Sequence, residues 1–397
     1  MSSESICALD PTPTDEPMAG SLRGTTAVAM SGGLDSSVVA WWLADEGESV
    51  IGLSMLLWDH SLERRNGRCC GALDLGDAKR VAEQAGVPHY TLRMDQEFRE
   101  HVVDPFVNDY LAGRTPSPCV RCNTWIKFDL LLERAMALGA DSVATGHYAR
   151  IVHNPETDEF ELHEALDSSK DQTYFLFELT QDQLRYSRFP LGELTKEEVR
   201  AMARRVGLVV AEKGESMEVC FVTEGVREFV EGQVQQNPGA YPLADRVSAT
   251  QEESGEGAML VSDEGAELGR GAPYYRYTVG QRKGLGVAAD RRLYVLDVDA
   301  EQNTVRVGDR ELLLAPGLEG ERLHWIGRPP EGTVRASVRI RSRHAGIGAS
   351  IEGLGGGRAR VVFDEPQSAV TPGQAAVFYD GSRVLGGCWI TEALEAT

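Results

Sequence analysis

Two hydrophobic rhythms divide the chain. Up to about residue 149, short apolar runs at 27–30, 50–57, 89–93 and 142–145 predict strands. Between them, segments at 35–45, 75–85, 97–111 and 124–138 carry apolar positions at helical spacing. Alternation at this interval implies an α/β domain, a parallel sheet with helices on both faces, whose ligands bind at the carboxyl ends of the strands. A hairpin is expected over 149–165, turning at Asn154-Pro155-Glu156-Thr157-Asp158. Helical signals return over 195–206, with Thr195 as N-cap and Glu198 three positions on, and again over 226–233. From Tyr241 onward short alternating runs at 293–298, 304–307, 334–341, 359–363 and 375–379 are separated by Gly, Asp and Pro, which reads as two small, mainly β, barrel-like domains. Glycines at 353 and 355–357 read as a hairpin turn. The expected order is a disordered tail over 1–24, a Rossmann-like catalytic domain over 25–225, a central β domain over 226–308 and a C-terminal β-barrel over 309–397.

Composition narrows the function more than the fold. With 397 residues, 42% hydrophobic and 25% charged, the chain is an ordinary globular one. Its longest apolar run, around 50–58, is too short to span a bilayer, so no membrane partner is expected. Residues 1–24 lack an apolar core region and nearly all basic charge, which excludes a signal or transit peptide. A net charge of −21 repels nucleic acid at long range, so any such partner must meet local basic patches. The seven cysteines are Cys7, Cys69, Cys70, Cys119, Cys122, Cys220 and Cys388; an odd count without a secretion signal points to reduced thiols in a cytoplasm.

The first chemical signal is Ala27-Val28-Ala29-Met30-Ser31-Gly32-Gly33-Leu34-Asp35-Ser36-Ser37. A strand breaks at glycines and runs straight into a helix, whose free first-turn amides make an anion site. Glycine lets backbone approach a phosphate, and Asp35 is placed to hold the accompanying Mg2+. No Gly-Lys-Ser/Thr closes the loop, so it is not a Walker A motif. The bland alternative is a strand-turn-helix corner with Asp35 as a cap. Ser-Gly-Gly-x-Asp-Ser resembles the PP-loop of ATP pyrophosphatases, which implies ATP use with pyrophosphate release.

The second signal is Thr115-Pro116-Ser117-Pro118-Cys119-Val120-Arg121-Cys122-Asn123. Two prolines predict an extended loop, with Asn123 as the N-cap of the next helix. Cys122 would then lie beside Arg121 and helix amides, an environment that lowers a thiol pKa. Cys220 stands in Val219-Cys220-Phe221-Val222, where a cysteine alone is more often a buried hydrophobe. Adjacent Cys69 and Cys70 are poorly placed to chelate one metal, and Cys7 and Cys388 carry no signal.

With the loop, Cys-x-x-Cys-Asn and the later Cys-Phe together, the chain resembles the tRNA-specific 2-thiouridylase family of bacteria from about Thr25 to Leu394. The shared signatures include Ala144-Thr145-Gly146-His147-Tyr148-Ala149-Arg150, Lys170-Asp171-Gln172-Thr173-Tyr174, the stretch 277–286 and Pro372-Gly373-Gln374. The resemblance implies that ATP with Mg2+ adenylates the C2 oxygen of uridine 34 in the tRNA anticodon arm and that a persulfide delivers sulfur to C2. It assigns the persulfide to Cys220 and to Cys122 the nucleophile that resolves it through a disulfide. ATP falls to Ala29, Met30, Ser31, Gly32, Gly33, Leu34, Asp35, Ser36, Met55 and Gly146. Ser117, Pro118 and Cys119 border the target base, and His147, Lys170, Asp171, Gln172, Arg341, Ser342 and Gln374 contact tRNA. A cysteine desulfurase or sulfur-relay protein must stand upstream.

Two positions depart from the family. Many members have Asp where this chain has Cys119, and an aromatic residue usually stands where Ser342 follows Arg341. Cys119, Cys122 and Cys220 together also make a three-thiolate set suited to a [4Fe-4S] cluster as sulfur carrier, an alternative to the persulfide. In Val338-Arg339-Ile340-Arg341-Ser342-Arg343 the arginines alternate, which on a strand places all three on one face toward phosphate, with Arg335, Arg358 and Arg360 extending the patch and Arg282-Lys283 adding contacts. Two other classes stay open: another PP-loop ligase, such as an amidotransferase-like or lysidine synthetase, and a tRNA-binding or nucleotide-sensing module without turnover.

Overall fold

The computed structural model describes residues 24–58, 72–214, 219–222, 225–245, 247, 257–287 and 290–395. The tail expected before Gly24, Cys7, Cys69 and Cys70 lie outside the described residues. Along the chain run β1 (Thr25–Ala29), α1 (Leu34–Asp45), β2 (Ser49–Leu56), α2 (Ala72–Ala85) and β3 (His89–Arg93). A long helix follows, made of α3 (Asp95–Phe98), a wide π-helical turn (Arg99–Val103) and α4 (Asp104–Leu111). A second long helix comprises α5 (Pro118–Arg121), a π-helical stretch (Cys122–Leu130) and α6 (Leu131–Ala137). After β4 (Ser142–Ala144) come the hairpin β5 (Ala149–Asn154) and β6 (Glu159–Glu164), α7 (Gln181–Arg185), β7 (Ser187–Arg188), α8 (Lys196–Arg205) and α9 (Val226–Gln236).

Strands β3-β2-β1-β4-β7 form one parallel sheet in that order. Its central strand is built of small and branched residues buried on both faces, Ala27 and Val28 being fully enclosed. Helix α1 packs on α2 and α8 and buries Val38, Val39 and Ala40 completely. Burial of each such Val or Leu contributes about 1.5–3 kcal/mol against the unfolded chain. Helix α8 starts on the expected capping box: the Glu198 amide donates to Thr195 Oγ1 and the Thr195 amide to Glu198 Oε2.

Two further sheets follow. In the central one, β8 (Met259–Ser262), β9 (Glu267–Arg270), β10 (Tyr294–Asp299) and β11 (Thr304–Gly308) take the order β10-β11-β8-β9. Its buried face (Leu260, Val295, Val305 and Val307) shares one apolar cluster with Phe98, Phe106 and Phe229. In the C-terminal one, β12 (Leu314–Trp325), β13 (Val334–Arg339), β14 (Ile347–Gly355), β15 (Arg358–Ser368), β16 (Ala375–Asp380) and β17 (Arg383–Ala393) take the order β12-β15-β14-β13-β16-β17. Strand β17 pairs back onto β12 and closes the barrel. Gly355, Gly356 and Gly357 turn β14 into β15 with positive φ at each residue.

The hairpin β5-β6 does not belong to the parallel sheet. Strand β6 pairs with β17, Leu162 opposite Val384 and His163 opposite Arg383, so the barrel sheet extends into the N-terminal half of the chain. Phe177, fully buried, sits at this junction against Trp389, and a Cβ on Gly387 would fall 2.6 Å from its ring. Phe177→Ala is expected to destabilise the protein by roughly 3–5 kcal/mol, read as a lower urea midpoint; an unchanged midpoint would mean that the junction contributes little.

Candidate functional site

The carboxyl edge of the parallel sheet gathers the first set of candidates. Gly32 adopts φ +74°, and a Cβ there would overlap the Asp74 carbonyl oxygen, so only glycine fits between β1 and α2. The Ser31 amide donates to Ser36 Oγ at 3.1 Å and the Gly33 amide to Ser31 Oγ at 3.4 Å, which folds the loop over the helix start. Gly33 caps α1 without a side chain, leaving its first-turn amides to an anion. A Cβ on Gly146 would lie 2.8 Å from the Ser36 nitrogen, so the end of β4 closes on the same turn. Ala29, Met30, Leu34 and Met55 line or underlie this edge; the Met30 carbonyl accepts from Ser54 Oγ at 2.6 Å.

Two lysines absent from the sequence-based site flank the loop. Lys196 Nζ donates to both Asp35 oxygens, at 2.7 and 2.8 Å, and Tyr148 Oη donates to Oδ1 at 3.1 Å. Lys213 Nζ donates to the Gly32 carbonyl at 2.9 Å and to Asp74 and Asp77, each at 2.6 Å. Asp35 therefore faces an ammonium: a Mg2+ bound to it would have to displace Lys196, and the residues as arranged do not fit an Asp35-held ion. The signal that could have found Lys196 is its place at the first position of a strongly capped helix; Lys213 left none.

The cysteine helix departs from expectation. Pro118 occupies its first turn, where the missing N–H costs nothing, so the helix starts there and Asn123 is not its cap. Asn123 is buried instead, and its Nδ2 donates to the Phe175 carbonyl at 3.0 Å. Arg121 turns away to lie 5.7 Å over the Trp389 ring. Burial, partly offset by Lys127, raises the Cys122 thiol above its ordinary value, which overturns the expected depression by helix amides. Cys119 opens to solvent but is crowded by protein and by Cys122, and its pKa is pushed up to about 11. Ser117 and Pro118 are buried beneath it.

Lys127 is the cation whose charge acts on both thiols, opposing the effect of burial. In a π-helix, residues five apart fall on nearly the same face, as Cys122 and Lys127 do here. Its ammonium lies 3.4 Å from His147 Nε2, and His147 Nδ1 lies 2.7 Å from Thr145 Oγ1. Burial, with Lys127 adding to it, holds His147 well below the usual imidazole range, so the ring is neutral and Nε2 accepts from the lysine. His147 packs against Phe128 and Phe189; its ring is enclosed and not offered at the surface to RNA. Cys220, far along the sequence, packs against the same large apolar cluster as Cys122. Phe221 stacks edge-on against Phe98 and Phe106, and Cys122, Cys220 and Met55 all border that apolar cluster.

The expected RNA contacts scatter. Gln172 Oε1 accepts from the Tyr148 amide at 2.9 Å. Asp171 accepts from Thr173 Oγ1 and the Ala165 amide, and its burial raises its pKa. Lys170 is half-buried beside them. Strand β13 ends at Arg339, so the three arginines do not share a strand face. Arg339 stacks 4.2 Å over Tyr379 and pairs with Glu164 and Asp171. Arg335 pairs with Asp364, and Arg358 and Arg360 with Glu319. Arg341, Ser342 and Arg343 stand exposed in the turn beyond. Gln374 Nε2 donates inward, to the carbonyls of Thr115 at 2.9 Å and Pro116 at 3.3 Å.

Among the described residues no group of three or more His, Cys, Asp or Glu side chains is placed to hold a metal ion, so Cys119, Cys122 and Cys220 do not form the ligand set a [4Fe-4S] cluster requires. No described helix is long and apolar enough to cross a membrane.

Family models match in three blocks: a tRNA methyl transferase HUP domain over residues 24–224, a tRNA methyl transferase PRC-barrel domain over 247–309 and an aminomethyltransferase beta-barrel domain over 316–390. The chain is 48% identical over 381 residues to the tRNA-specific 2-thiouridylase MnmA of Geotalea uraniireducens, covering 94% of this chain and 96% of that one. It is 50% identical over 379 residues to the tRNA-specific 2-thiouridylase MnmA of Solibacter usitatus, covering 92% and 98%. A solved structure, the U34-tRNA thiolase NcsA from Methanococcus maripaludis with its [4Fe-4S] cluster, is 17% identical with a TM-score of 0.32 over 63% of this chain and 76% of that one, a likeness too distant to carry an argument.

Because Lys127 is the cation opposing burial at both thiols, Lys127→Met is expected to move the pH midpoint for alkylation of Cys122 by iodoacetamide upward, and Lys127→Arg to leave it nearly in place. Site-resolved mass spectrometry across pH checks this; equal midpoints in all three proteins would sink it.

Proposed function

Since the chain belongs to the tRNA-specific 2-thiouridylase family and is a tRNA 2-sulfurtransferase, we propose that it acts on uridine 34 in two stages, activation at the PP-loop and sulfur transfer at the cysteines. ATP supplies the activation. The uncapped amides of α1 receive its phosphates, and the close approach of Gly32 and Gly146 leaves room for backbone contact. The C2 oxygen attacks the α-phosphorus, pyrophosphate leaves, and C2 carries AMP as a leaving group. Lys196 and Lys213, already beside the loop, are the cations that meet the phosphate charge.

In the second stage a persulfide on Cys220 attacks C2 through its terminal sulfur, and AMP departs with the C–O electron pair. Cys122 then attacks the Cys220 sulfur, releasing the thiocarbonyl and forming a Cys122–Cys220 disulfide that an external thiol must reduce. The observation that carries this reading is that Cys122, Cys220 and Met55 at the end of β2 border a single apolar cluster. A desulfurase or sulfur-relay protein supplies the persulfide, and the reaction belongs in a cytoplasm. We assign residues 25–225 to activation and transfer, and 226–308 and 309–397 to the two β domains that meet the anticodon arm; the extents of the matched family models support this division. Half-buried Lys170 and the exposed Arg341, Ser342 and Arg343 are the groups we assign to RNA.

Cys122→Ser and Cys220→Ser are each expected to abolish 2-thiouridine formation while leaving tRNA-dependent pyrophosphate release intact. A PP-loop synthetase would survive both changes, and a module without turnover would release no pyrophosphate. Replacing Arg341 and Arg343 together by Ala is expected to weaken tRNA binding and flatten its salt dependence by about one unit of log–log slope for each phosphate no longer neutralised. Arg339→Ala, by contrast, should chiefly lower stability, because its guanidinium is held by Glu164 and Asp171.

A further inference from the structure

Sulfur transfer and its resolution use Cys220 and Cys122, and a third thiol on the same helix is left over. Cys119 stands where many family members have Asp, and it is exposed, whereas Cys122 and Cys220 are partly buried. The Cys122–Cys220 disulfide that transfer leaves behind is packed against the large apolar cluster that both residues border. An external reductant has to reach it there. Until it opens, Cys220 cannot take up sulfur again.

Cys119 and Cys122 share one helical turn. The helix runs from Pro118 to Arg121, and Cys122 continues it at φ −62° and ψ −41°. In an α-helix, Cα atoms three residues apart lie about 5 Å from each other. A disulfide spans roughly 4.4–6.8 Å between Cα atoms, so this pair is within its reach. The turn is also drawn tight. The Val120 amide donates to the Ser117 carbonyl at 3.2 Å, and the Cys122 amide is shared between the carbonyls of Pro118 and Cys119. Bonds back to the third residue belong to a 3₁₀ turn, in which side chains three apart eclipse.

We infer that Cys119 is a second resolving thiol: it takes the disulfide over from Cys220 and carries it to the surface. The Cys119 thiolate attacks Sγ of Cys122, a Cys119–Cys122 bond forms, and the Cys122–Cys220 bond breaks with its electron pair leaving on Cys220. The proton lost by Cys119 is regained by Cys220 through solvent, so one disulfide is exchanged for another and no oxidant is consumed. Two external thiols then reduce the exposed pair and depart as a disulfide. Crowding by protein and the neighbouring Cys122 raise the resting Cys119 thiol to about 11, with Lys127 opposing them. Cys122 carries no charge once it is in a disulfide, so its part of that effect disappears while the pull of Lys127 remains. Proximity adds to this, since well-oriented groups of one molecule react as if at concentrations on the order of 10⁵ M or more.

The inference rests on the thiolation reading, and its test separates the two. Full-length protein is loaded with sulfur by a cysteine desulfurase and cysteine, freed of small thiols, and given tRNA and ATP anaerobically for one turnover. The reaction is quenched in acid, remaining thiols are blocked with N-ethylmaleimide, and tryptic peptides are mapped without reduction. Arg121 separates the cysteines, so peptides 115–121, 122–127 and 214–227 carry Cys119, Cys122 and Cys220 respectively. The expected product is 115–121 joined to 122–127, dependent on ATP and matching 2-thiouridine mole for mole. In Cys119→Ser that link is lost, and for each 2-thiouridine formed 122–127 stays joined to 214–227. A wild-type link confined to 122–127 and 214–227 would overturn the inference and leave thiolation in place. A link between 115–121 and 122–127 equally abundant without ATP, or 2-thiouridine formed with no link at all, would overturn it as well. Absence of 2-thiouridine from the sulfur-loaded wild-type protein would instead overturn the thiolation reading itself.

Discussion

A buried carboxylate joins the cysteine helix to the barrel. Glu178 accepts from Trp389 Nε1 at 2.7 Å and from Thr124 Oγ1 at 3.0 Å, and Arg322 lies 3.1 Å away. A charge in that position is tolerated only while its partners are complete, and loss of one partner from such a set costs several kcal/mol, roughly 3–5. Thr124 belongs to the π-helical stretch after Cys122, whereas Trp389 and Arg322 belong to the barrel. The same Trp389 ring carries Arg121 on one approach and Arg322 on another, 5.7 and 5.6 Å from its centroid. The helix holding both thiols is thus a shared structure of two domains. The barrel cannot shift on the α/β domain without moving the helix that carries Cys119 and Cys122.

The same logic explains how so acidic a chain uses its arginines. Most of those in the expected patch neutralise carboxylates of neighbouring strands: Arg339 pairs with Glu164, Arg360 with Glu319 and Arg335 with Asp364. Pairs as exposed as Arg335–Asp364 contribute little to stability, because solvent screens them. What they do is cancel field, while Arg341 and Arg343 stand exposed in the turn beyond β13.

Which features the sequence revealed depended on the range of the forces that set them. The loop from Ser31 to Ser36 is a local structure, its hydroxyls bonding within a few residues, so the strand-turn-helix expected there is the one observed, whereas the Lys196 that occupies Asp35 comes from far along the chain. The capping box at Thr195 is equally local. Four of the five strands of the parallel sheet were legible because apolar runs bounded by turns have few alternatives, whereas β7, two residues long, carries no such run. The helix start at Pro118 was misplaced because proline suits both an extended loop and a first helical turn, and only packing decides. Arginine alternation over 339–343 failed for a related reason: the chain leaves β13 at Arg339, and alternation has no meaning in the turn that follows. The hydrogen-bond partners of His147, Lys127 and Gln374 were illegible because they lie far along the chain, 20 residues from His147 to Lys127 and 259 from Gln374 to Thr115.

The two halves of the site are therefore built on opposite principles. The PP-loop is a preformed anion cradle whose one acidic side chain, Asp35, is kept neutralised by Lys196 until an incoming charge competes for that ammonium. The thiol half is kept quiet: burial raises Cys119 and Cys122, and one lysine, held by a neutral histidine, is the counterweight. A thiol that is mostly protonated at neutral pH does not attack stray electrophiles or disulfides. With its reactivity suppressed in this way, the position of the Cys122 thiol is the quantity the fold controls.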